Sequence, residues 1–362
     1  MFAAIMLAAM GCANSVPPRA DDARLYRDQL GAFADPPRAR MGALPFYGPF
    51  TLYDRAEIGA LGEHAYRRAG LFADHSERER GIVYTERAGF LDIAHIRNSA
   101  DMTGYIYSRA RLAITEGWPR FQFKGYEPSI YSVSLNYPDA WETIPEPRRS
   151  RLIDQIALTL AQHAAFDVMS WHEILTWYGY KSTGILPEKN SAFTYDDIPS
   201  HALGVRLGAE AIRSDGDFDQ EMTRLLDEAM RDLGAVDPPT LDRAIRAVEG
   251  VWWSEPGEPR RRLFDLGTGD RVIEPWVIEA MLDDERHDFL LVALRPIDGI
   301  DLRSFWSVKI DPKVLEAYQI RRVLGTDRRH IHPDSDFPVL VRDIADRADG
   351  GESDPMPNLA AK

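Results

Sequence analysis

The segment 92–98, DIAHIRN, places three chemically active side chains at a predicted strand-to-helix junction. Side chains at such junctions stand on a rigid support and often carry function. Asp92 and His95 could form an oriented carboxylate–imidazole pair, or His95 could bind a metal ion. Arg97 would then orient a carboxylate or stabilise negative charge. The alternative is a helix cap, in which a carboxylate accepts backbone N–H groups and Arg97 neutralises it.

A second candidate is the dipeptide His172-Glu173, in the aromatic segment 170–180, SWHEILTWYGY. Helical spacing puts His172 on the apolar face, where an ionisable group without a partner is costly to bury. The zinc-protease signature has a second histidine four residues after the first, but Thr176 stands there in this chain. A metal site therefore needs a ligand from elsewhere, for which His95 is the candidate. The alternative is a core histidine whose hydrogen bonds are satisfied.

Two more polar pairs have the residue types of metal ligands. Asp196 and Asp197 precede a predicted helix, where they could cap it and interact with its dipole. They could instead supply oxygen ligands to a metal ion, or act as a general base. His330 and His332 suit a metal site or a solvated loop, and their charged neighbours favour the loop.

Aromatic residues are dense around Glu173, namely Trp171, Trp177, Tyr178 and Tyr180. Aromatic faces beside a pair of acids are typical of glycan-cleaving sites. Asp92 or Asp197 could be the partner acid. Packing of a buried helix explains the same aromatics without a sugar.

The first ten residues, MFAAIMLAAM, are apolar and too short to span a bilayer. They lead into Gly11-Cys12, and a small residue before a cysteine at the end of an apolar run resembles a bacterial lipobox. The resemblance implies acylation of Cys12, which would anchor the chain to a membrane. Ala13 after the cysteine resembles the outer-membrane sorting pattern. No Lys or Arg precedes the apolar run, which departs from the usual signal.

Composition narrows the function classes. Cys12 is the only cysteine, so no intramolecular disulfide can form. If it is acylated, no thiol remains for a cysteine hydrolase. The formal net charge of -14 argues against a nucleic-acid-binding protein, which needs a basic surface.

Apolar periodicity predicts an α+β fold, helix-rich and single-domain, with a long central buried helix at 148–178 and short flanking β-strands. Strands are predicted at 81–86 and 89–94 and a hairpin at 120–135, with helices at 56–69, 95–115, 196–213, 218–233 and 240–249. We divide the chain into a signal segment 1–11, a tether 12–45, a globular domain 46–344 and a disordered tail 345–362.

Three blocks, GFLDIAHIRNSADMTGY, SWHEILTWYGY and SAFTYDDIPSHALG, resemble a family of bacterial exported proteins catalogued as a domain of unknown function. The resemblance covers roughly residues 45–310. It implies an envelope protein with one continuous domain, and it implies no known activity.

The leading hypothesis is a metal-dependent hydrolase of the bacterial envelope, lipid-anchored at the outer membrane and facing the periplasm. The predicted site consists of His95 and His172 as ligands of a metal such as zinc, Glu173 as general base, and Asp92, Asp197 and Arg97 beside them. One alternative is a metal-free, peptidoglycan-type glycan hydrolase that uses paired carboxylates. The other is a non-catalytic lipoprotein that binds an envelope polymer or protein partner, so the sequence leaves open whether the chain is an enzyme.

Overall fold

The computed structural model describes residues 26–40, 55–56, 59, 61–66, 81–181, 188–214, 216–254, 258–325 and 329–348. The predicted signal segment, Cys12 and residues 349–362 lie outside the described residues. No helix in the described part of the chain has the length and hydropathy needed to cross a membrane.

Nine α-helices lie in the described ranges: α1 (Arg27–Leu30), α2 (Ile93–Thr115), α3 (Arg148–Trp177), α4 (Asp197–Arg213), α5 (Phe218–Asp232), α6 (Pro238–Val248), α7 (Leu302–Phe305), α8 (Ala317–Val323) and α9 (Pro333–Ala348). The strands there are short: β1 (Ile82–Thr85), β2 (Gly89–Asp92), β3 (Arg120–Lys124), β4 (Ser129–Leu135), β5 (Trp253–Ser254), β6 (Glu258–Pro259), β7 (Val272–Ile273), β8 (Phe289–Leu290) and β9 (Trp306–Pro312). The chain is about 50% helical with 14% strand, so the predicted α+β class is confirmed.

The largest described sheet is antiparallel, with the order β3-β4-β9. Its register pairs Tyr131 with Phe123 on one side and with Ile310 on the other. All three side chains are buried. Directly paired residues of neighbouring strands lie on the same face of a sheet, and here that face packs on the core. The strands β1 and β2 form a separate hairpin that leads directly into α2.

The helix α3 is the long central helix that the apolar stripe predicts, with 20 of its 30 residues buried. Its Trp171 is fully buried, stacks on Phe337 of α9, and donates its indole N–H to the Ser129 hydroxyl of β4 at 3.1 Å. The helix α2 lies between α3 and α4 and is buried over most of its 23 residues.

Backbone approaches backbone where α2 crosses α4. A Cβ added at Gly204 would lie 2.2 Å from the Ile96 carbonyl oxygen, and one at Gly208 would lie 2.8 Å from the Ala100 Cα. Only glycine fits at such separations. This contact brings the second turn of α4 against the first turn of α2.

Residues 26–40, predicted as part of a tether, pack against the domain where they are described. Leu30 and Ala34 are buried, and Arg109 of α2 donates to the carbonyl oxygens of Phe33 and Ala34, both at 2.8 Å.

Two other ranges differ from expectation. Residues 61–66 are not helical, so the helix predicted at 56–69 is wrong where the chain is described, and Gly59 has a φ of 82°, which a helix does not accommodate. The helix α9 continues to Ala348, four residues into the predicted tail.

A buried ionic cluster fastens the early chain to α2. Asp101, fully buried, accepts from Arg40 at 2.5 Å and lies 2.8 Å from His64 Nε2. Burial opposes the charge on Asp101, but Arg40 and His64 outweigh it and lower its pKa. The carboxylate is therefore ionised in the folded chain.

The glycine contact predicts a steric effect. We expect Gly204→Ala to lower the free energy of unfolding by about 2–3 kcal/mol, because the methyl group must push α4 away from α2. Urea unfolding followed by circular dichroism measures this. Gly269→Ala is the control, since a Cβ there meets nothing within 4 Å. Equal effects of the two substitutions would contradict the close approach.

The ionic cluster gives a second prediction. Asp101→Asn should cost about 3 kcal/mol, because Arg40 is left buried without a counter-charge. Asp154→Asn is the control, since its ion pair with Arg111 is about half exposed and should contribute under about 1 kcal/mol.

The pH dependence of the Asp101 contribution follows from its lowered pKa. The contribution should be complete above about pH 4 and disappear as the pH falls through the lower folded-state pKa. Unfolding curves of the native chain and Asp101→Asn across this range test the sign. A difference between the two that grows on acidification would refute it.

Candidate functional site

Asp92 is both a helix cap and a member of a polar cluster. It ends β2, and its Oδ1 accepts the backbone N–H groups of Ala94 at 2.7 Å and His95 at 3.3 Å. Its Oδ2 lies 4.0 Å from His95 Nδ1. The two interpretations of the sequence are therefore compatible, because each concerns a different oxygen of the same carboxylate.

Ser200 joins the starts of the two helices. Its hydroxyl accepts the backbone N–H of Asp92 at 2.9 Å and donates to the carbonyl oxygen of Asp196 at 2.5 Å. Through this one side chain, the junction of β2 with α2 is held against the first turn of α4.

The turn before α4 positions two acids. Phe193 adopts a φ of 57°, and its N–H donates to Glu173 Oε2 at 3.1 Å. The next N–H, of Thr194, donates to Asp197 Oδ2 at 2.7 Å. Arg262 donates to the carbonyl oxygen of Ala192 in the same turn.

Asp196 differs from these acids because only one of its carboxyl oxygens is satisfied, by a hydrogen bond with Thr194. It is 1% exposed, and its Oδ2 has no hydrogen-bond partner among the described residues. Single ligand atoms of Asp92, His95 and Asp196 all lie within 4.8 Å of one another. Burial and the neighbouring charges of Asp197 and Asp92 raise the pKa of Asp196 well above its usual value. The three residues form the candidate metal centre.

His95 lies at the open edge of this centre. Its side chain is 16% exposed, and its Nδ1 lies 3.2 Å from Asp197 Oδ1. Burial opposes a charge on His95, but Asp92 and Asp197 outweigh it and raise its pKa well above the usual value. Burial, reinforced by the charge of Glu173, raises the pKa of Asp197 to about 7.

A chain of contacts behind the centre has the residue types of a serine-hydrolase triad. Ser99 Oγ lies 3.2 Å from His201 Nδ1, and His201 Nε2 lies 3.4 Å from Glu173 Oε1. However, Ser99 is fully buried and donates to the carbonyl oxygen of His95 at 2.8 Å. Burial lowers the pKa of His201 well below its usual value. These contacts support the helix packing, since no substrate can reach the hydroxyl.

His172 is not one of the three residues whose ligand atoms converge, although its charge, like that of His95, adds to the burial that lowers the pKa of His201. The centre of the His172 ring lies 6.2 Å from that of Tyr180, in an edge-to-face arrangement. Burial raises the pKa of Glu127, and the nearby His172 acts in the opposite direction. Glu127 is 3% exposed and accepts from the Tyr131 hydroxyl at 2.7 Å. Successive helix residues point about 100° apart, so His172 and Glu173 reach different surroundings.

The arginine expected near the carboxylates is also placed elsewhere. Arg97 is fully buried and donates to the carbonyl oxygens of Gly62 and Glu63. Burial lowers the pKa of Arg262 to about 10, while the nearby charges of Asp197 and Glu173 act in the opposite direction. His332 donates its backbone N–H to Asp336 at the start of α9, away from the centre.

Sequence reasoning missed His201, Arg262 and Glu127. His201 had a local signal, because it follows Asp197 by four residues and so shares its helix face. Arg262 had none, since it reaches the site from a loop about 65 residues after Asp197. Glu127 lies in a hairpin turn, where an exposed acid is the ordinary expectation.

Comparisons with known proteins identify a family without a known activity. A family model described as "Protein of unknown function (DUF4056)" matches residues 30–263, a range that contains all the residues of the candidate centre. No curated protein and no solved structure matches the chain. Because the family model covers well over half of the 362 residues, the chain belongs to this family of proteins of unknown function, DUF4056.

Proposed function

We propose that the chain is a metal-dependent hydrolase that binds one divalent cation between Asp92, His95 and Asp196. The observation that carries the proposal is the buried Asp196 carboxylate, whose Oδ2 has no partner among the described residues and which lies beside two other ligand-type groups. A buried polar atom without a partner costs free energy. A bound cation removes that cost.

The surrounding charge supports a cation. Four carboxylates lie in or beside the centre, those of Asp92, Glu173, Asp196 and Asp197, and all are at most 3% exposed. The cationic groups near them are Arg262 and His95. Buried like charges do not remain ionised together without compensation. The cluster therefore lacks positive charge unless protons or a metal supply it.

The residue types suit a borderline divalent ion such as Zn²⁺, which accepts imidazole nitrogen and carboxylate oxygen at roughly 2.0–2.2 Å. Two ligands of one ion cannot lie more than roughly 4.4 Å apart at such bond lengths. The ligand atoms of the three residues lie within 4.8 Å of one another, so the side chains would have to move together by only a few tenths of an ångström.

The chain's other residues support the ligands. Asp197 holds His95 at 3.2 Å, as carboxylates commonly orient a metal-binding imidazole. Glu173 has one oxygen on the Phe193 N–H and the other facing His201, so the proposal gives it a positioning role. A bound divalent ion would supply a nucleophilic water at neutral pH. The exposed edge of His95 is the side from which substrate would approach.

We also propose that the chain is a bacterial lipoprotein anchored through Cys12 at the outer membrane. The support is the apolar run that ends in Gly11-Cys12 and the absence of any other cysteine in the chain. Cys12→Ser should move the protein from the membrane fraction to the high-salt wash during cell fractionation. Retention of the variant in washed membranes would contradict lipid anchoring.

The first prediction about the centre concerns the metal-free chain. Asp196→Asn should raise the free energy of unfolding by about 1 kcal/mol, because it removes the charge of a buried carboxylate that has one unpartnered oxygen and crowds Asp92 and Asp197. Asp101→Asn is predicted to lower the free energy of unfolding instead. Each variant therefore serves as the control for the other when both are unfolded in urea under the same conditions. A loss of several kcal/mol at Asp196 would show that its carboxylate is already satisfied.

The second prediction is metal binding by the unlipidated chain, purified without a metal-affinity tag. Equilibrium dialysis with Zn²⁺ or Mn²⁺ should give about one ion per chain, and Asp196→Asn or His95→Ala should weaken binding more than roughly hundredfold. Asp92→Asn should also weaken it while keeping the helix cap, since asparagine caps as well as aspartate.

The matched control is Asp217→Asn, which makes the same change at the exposed cap of α5. It should leave metal binding unchanged. No bound ion in the native chain, or equal loss in the control, would overturn the metal centre.

Hydrolysis is tested separately, by screening the metal-loaded chain on ester, phosphate, peptide and glycan substrates. Activity that a chelator abolishes, metal restores and Asp196→Asn lacks supports the proposal. Chelator-insensitive release of sugar fragments would favour the metal-free glycan hydrolase instead. Metal binding without activity in any class would assign the ion a structural role.

A further inference from the structure

An exposed apolar pair with basic neighbours lies at the start of α8. Leu315 is 91% exposed and Tyr318 is 68% exposed. The N–H of Tyr318 donates to the Leu315 carbonyl oxygen at 3.1 Å, so one turn brings the two side chains to the same side. Single exposed apolar residues are ordinary on protein surfaces. An exposed pair on one side of a turn forms a small apolar patch, and such patches often mark contact surfaces.

The charges around this pair are basic, although the whole chain has a net charge of -14. Residues 309–325 contain four basic and two acidic side chains. Lys313 precedes Leu315, and Arg321 and Arg322 follow Tyr318 by three and four residues. The Arg322 guanidinium lies 6.0 Å from the centre of the Tyr318 ring. We call Lys313, Leu315, Tyr318, Arg321 and Arg322 the α8 patch.

We propose that the α8 patch is a membrane-contact surface that inserts Leu315 and Tyr318 into the interface of an anionic lipid bilayer. Charge complementarity identifies the occupant. An aliphatic tip, a tyrosine and arginines together fit an interface where apolar chains meet anionic headgroups. A second copy of this acidic chain fits less well. Its net negative charge would also attract the arginines, but it offers no apolar layer for Leu315 and Tyr318 to enter.

The geometry favours insertion over general electrostatic adsorption. The side chain of Lys313 is 53% exposed and pairs with Asp311 at 2.5 Å, so part of the basic charge is locally balanced. Arg322 is exposed and lies beside the Tyr318 ring, while Arg321 is half-buried and donates to the Arg329 carbonyl oxygen at 3.3 Å. Binding should therefore depend on both the apolar pair and the two arginines, while neither set alone suffices.

The inference does not depend on the metal centre, and it can be tested without the lipid anchor. The probe is the full chain carrying Cys12→Ser, mixed with phosphatidylcholine vesicles or with vesicles containing about a third phosphatidylglycerol. Flotation should recover the protein with the anionic vesicles at low salt. Recovery should fall with neutral vesicles and at high salt, because screening weakens the arginine contribution.

Variants then separate the two contributions. Leu315→Ser should weaken vesicle binding roughly tenfold, since a leucine side chain returns to water. Arg321→Gln and Arg322→Gln should each weaken it about fivefold. Leu315 and Arg322 are exposed, so the thermal midpoints of their variants should stay unchanged. Arg321 is half-buried and donates to the Arg329 carbonyl oxygen at 3.3 Å, so Arg321→Gln is compared with the native chain only where its thermal midpoint is the same.

Leu290→Ser is the matched control, because Leu290 is 75% exposed on β8 but its neighbouring Arg286 is paired with Glu274 and Asp288. It should leave vesicle binding unchanged. The proposal fails if anionic vesicles recover no more protein than neutral ones, or if Leu290→Ser weakens binding as much as Leu315→Ser. Self-association that requires Leu315 in the absence of vesicle binding would assign the patch to a second copy and overturn the lipid proposal.

Discussion

The contact between the backbones of α2 and α4 is the constraint on which the candidate centre depends. Gly204 lets the Ile96 carbonyl oxygen approach α4 at a distance that excludes any side chain. Ser200, one turn earlier, then bridges Asp92 and Asp196. A shift of either helix would separate these groups together, because no flexible segment lies between the glycine and the site.

This arrangement also brings two helix N-termini together. The N-terminus of a helix carries a partial positive charge, which stabilises nearby carboxylates. Asp92 lies at the start of α2, and Asp196 and Asp197 lie at the start of α4. The backbone thus offsets part of the cost of crowding acids. The part of this cost that the backbone does not offset raises the pKa values of Asp196 and Asp197, through burial and the charges of neighbouring acids.

The contrast with Asp101 shows that burial alone does not determine the ionisation of an aspartate in this fold. Asp101 is equally buried, but Arg40 and His64 satisfy it and lower its pKa. Asp196 has an oxygen with no partner among the described residues, and its pKa moves in the opposite direction. The two aspartates therefore have the same burial but differ in their partners and in the direction in which their pKa values shift.

Local patterns predicted most elements but only part of the centre. Apolar periodicity located α2 and α3, and alternation located β1 and β2, because these patterns depend on which face is buried. The same patterns could not predict which helices meet, so they could not show that Asp196, rather than His172, has a ligand atom beside those of Asp92 and His95. Capping and metal binding also look alike in sequence, since both place an acid before a helix. At Asp92 the two carboxylate oxygens have different neighbours, so Oδ1 caps α2 while Oδ2 faces His95.

The dipeptide His172-Glu173 lacks the second histidine of the zinc-protease signature, because Thr176 stands at that position. A zinc-protease helix presents both histidines on one face, so a single helix supplies the ligands and the base. Here His172 faces the surroundings of Glu127, while Glu173 turns toward α4 and anchors Phe193 and His201. The ligand-type groups come instead from the starts of two helices, in the spacing Asp92-x-x-His95 and in Asp196. A centre assembled in this way requires that the two helices be fixed in relative position before any ion binds, and the glycine contact between them provides that rigidity.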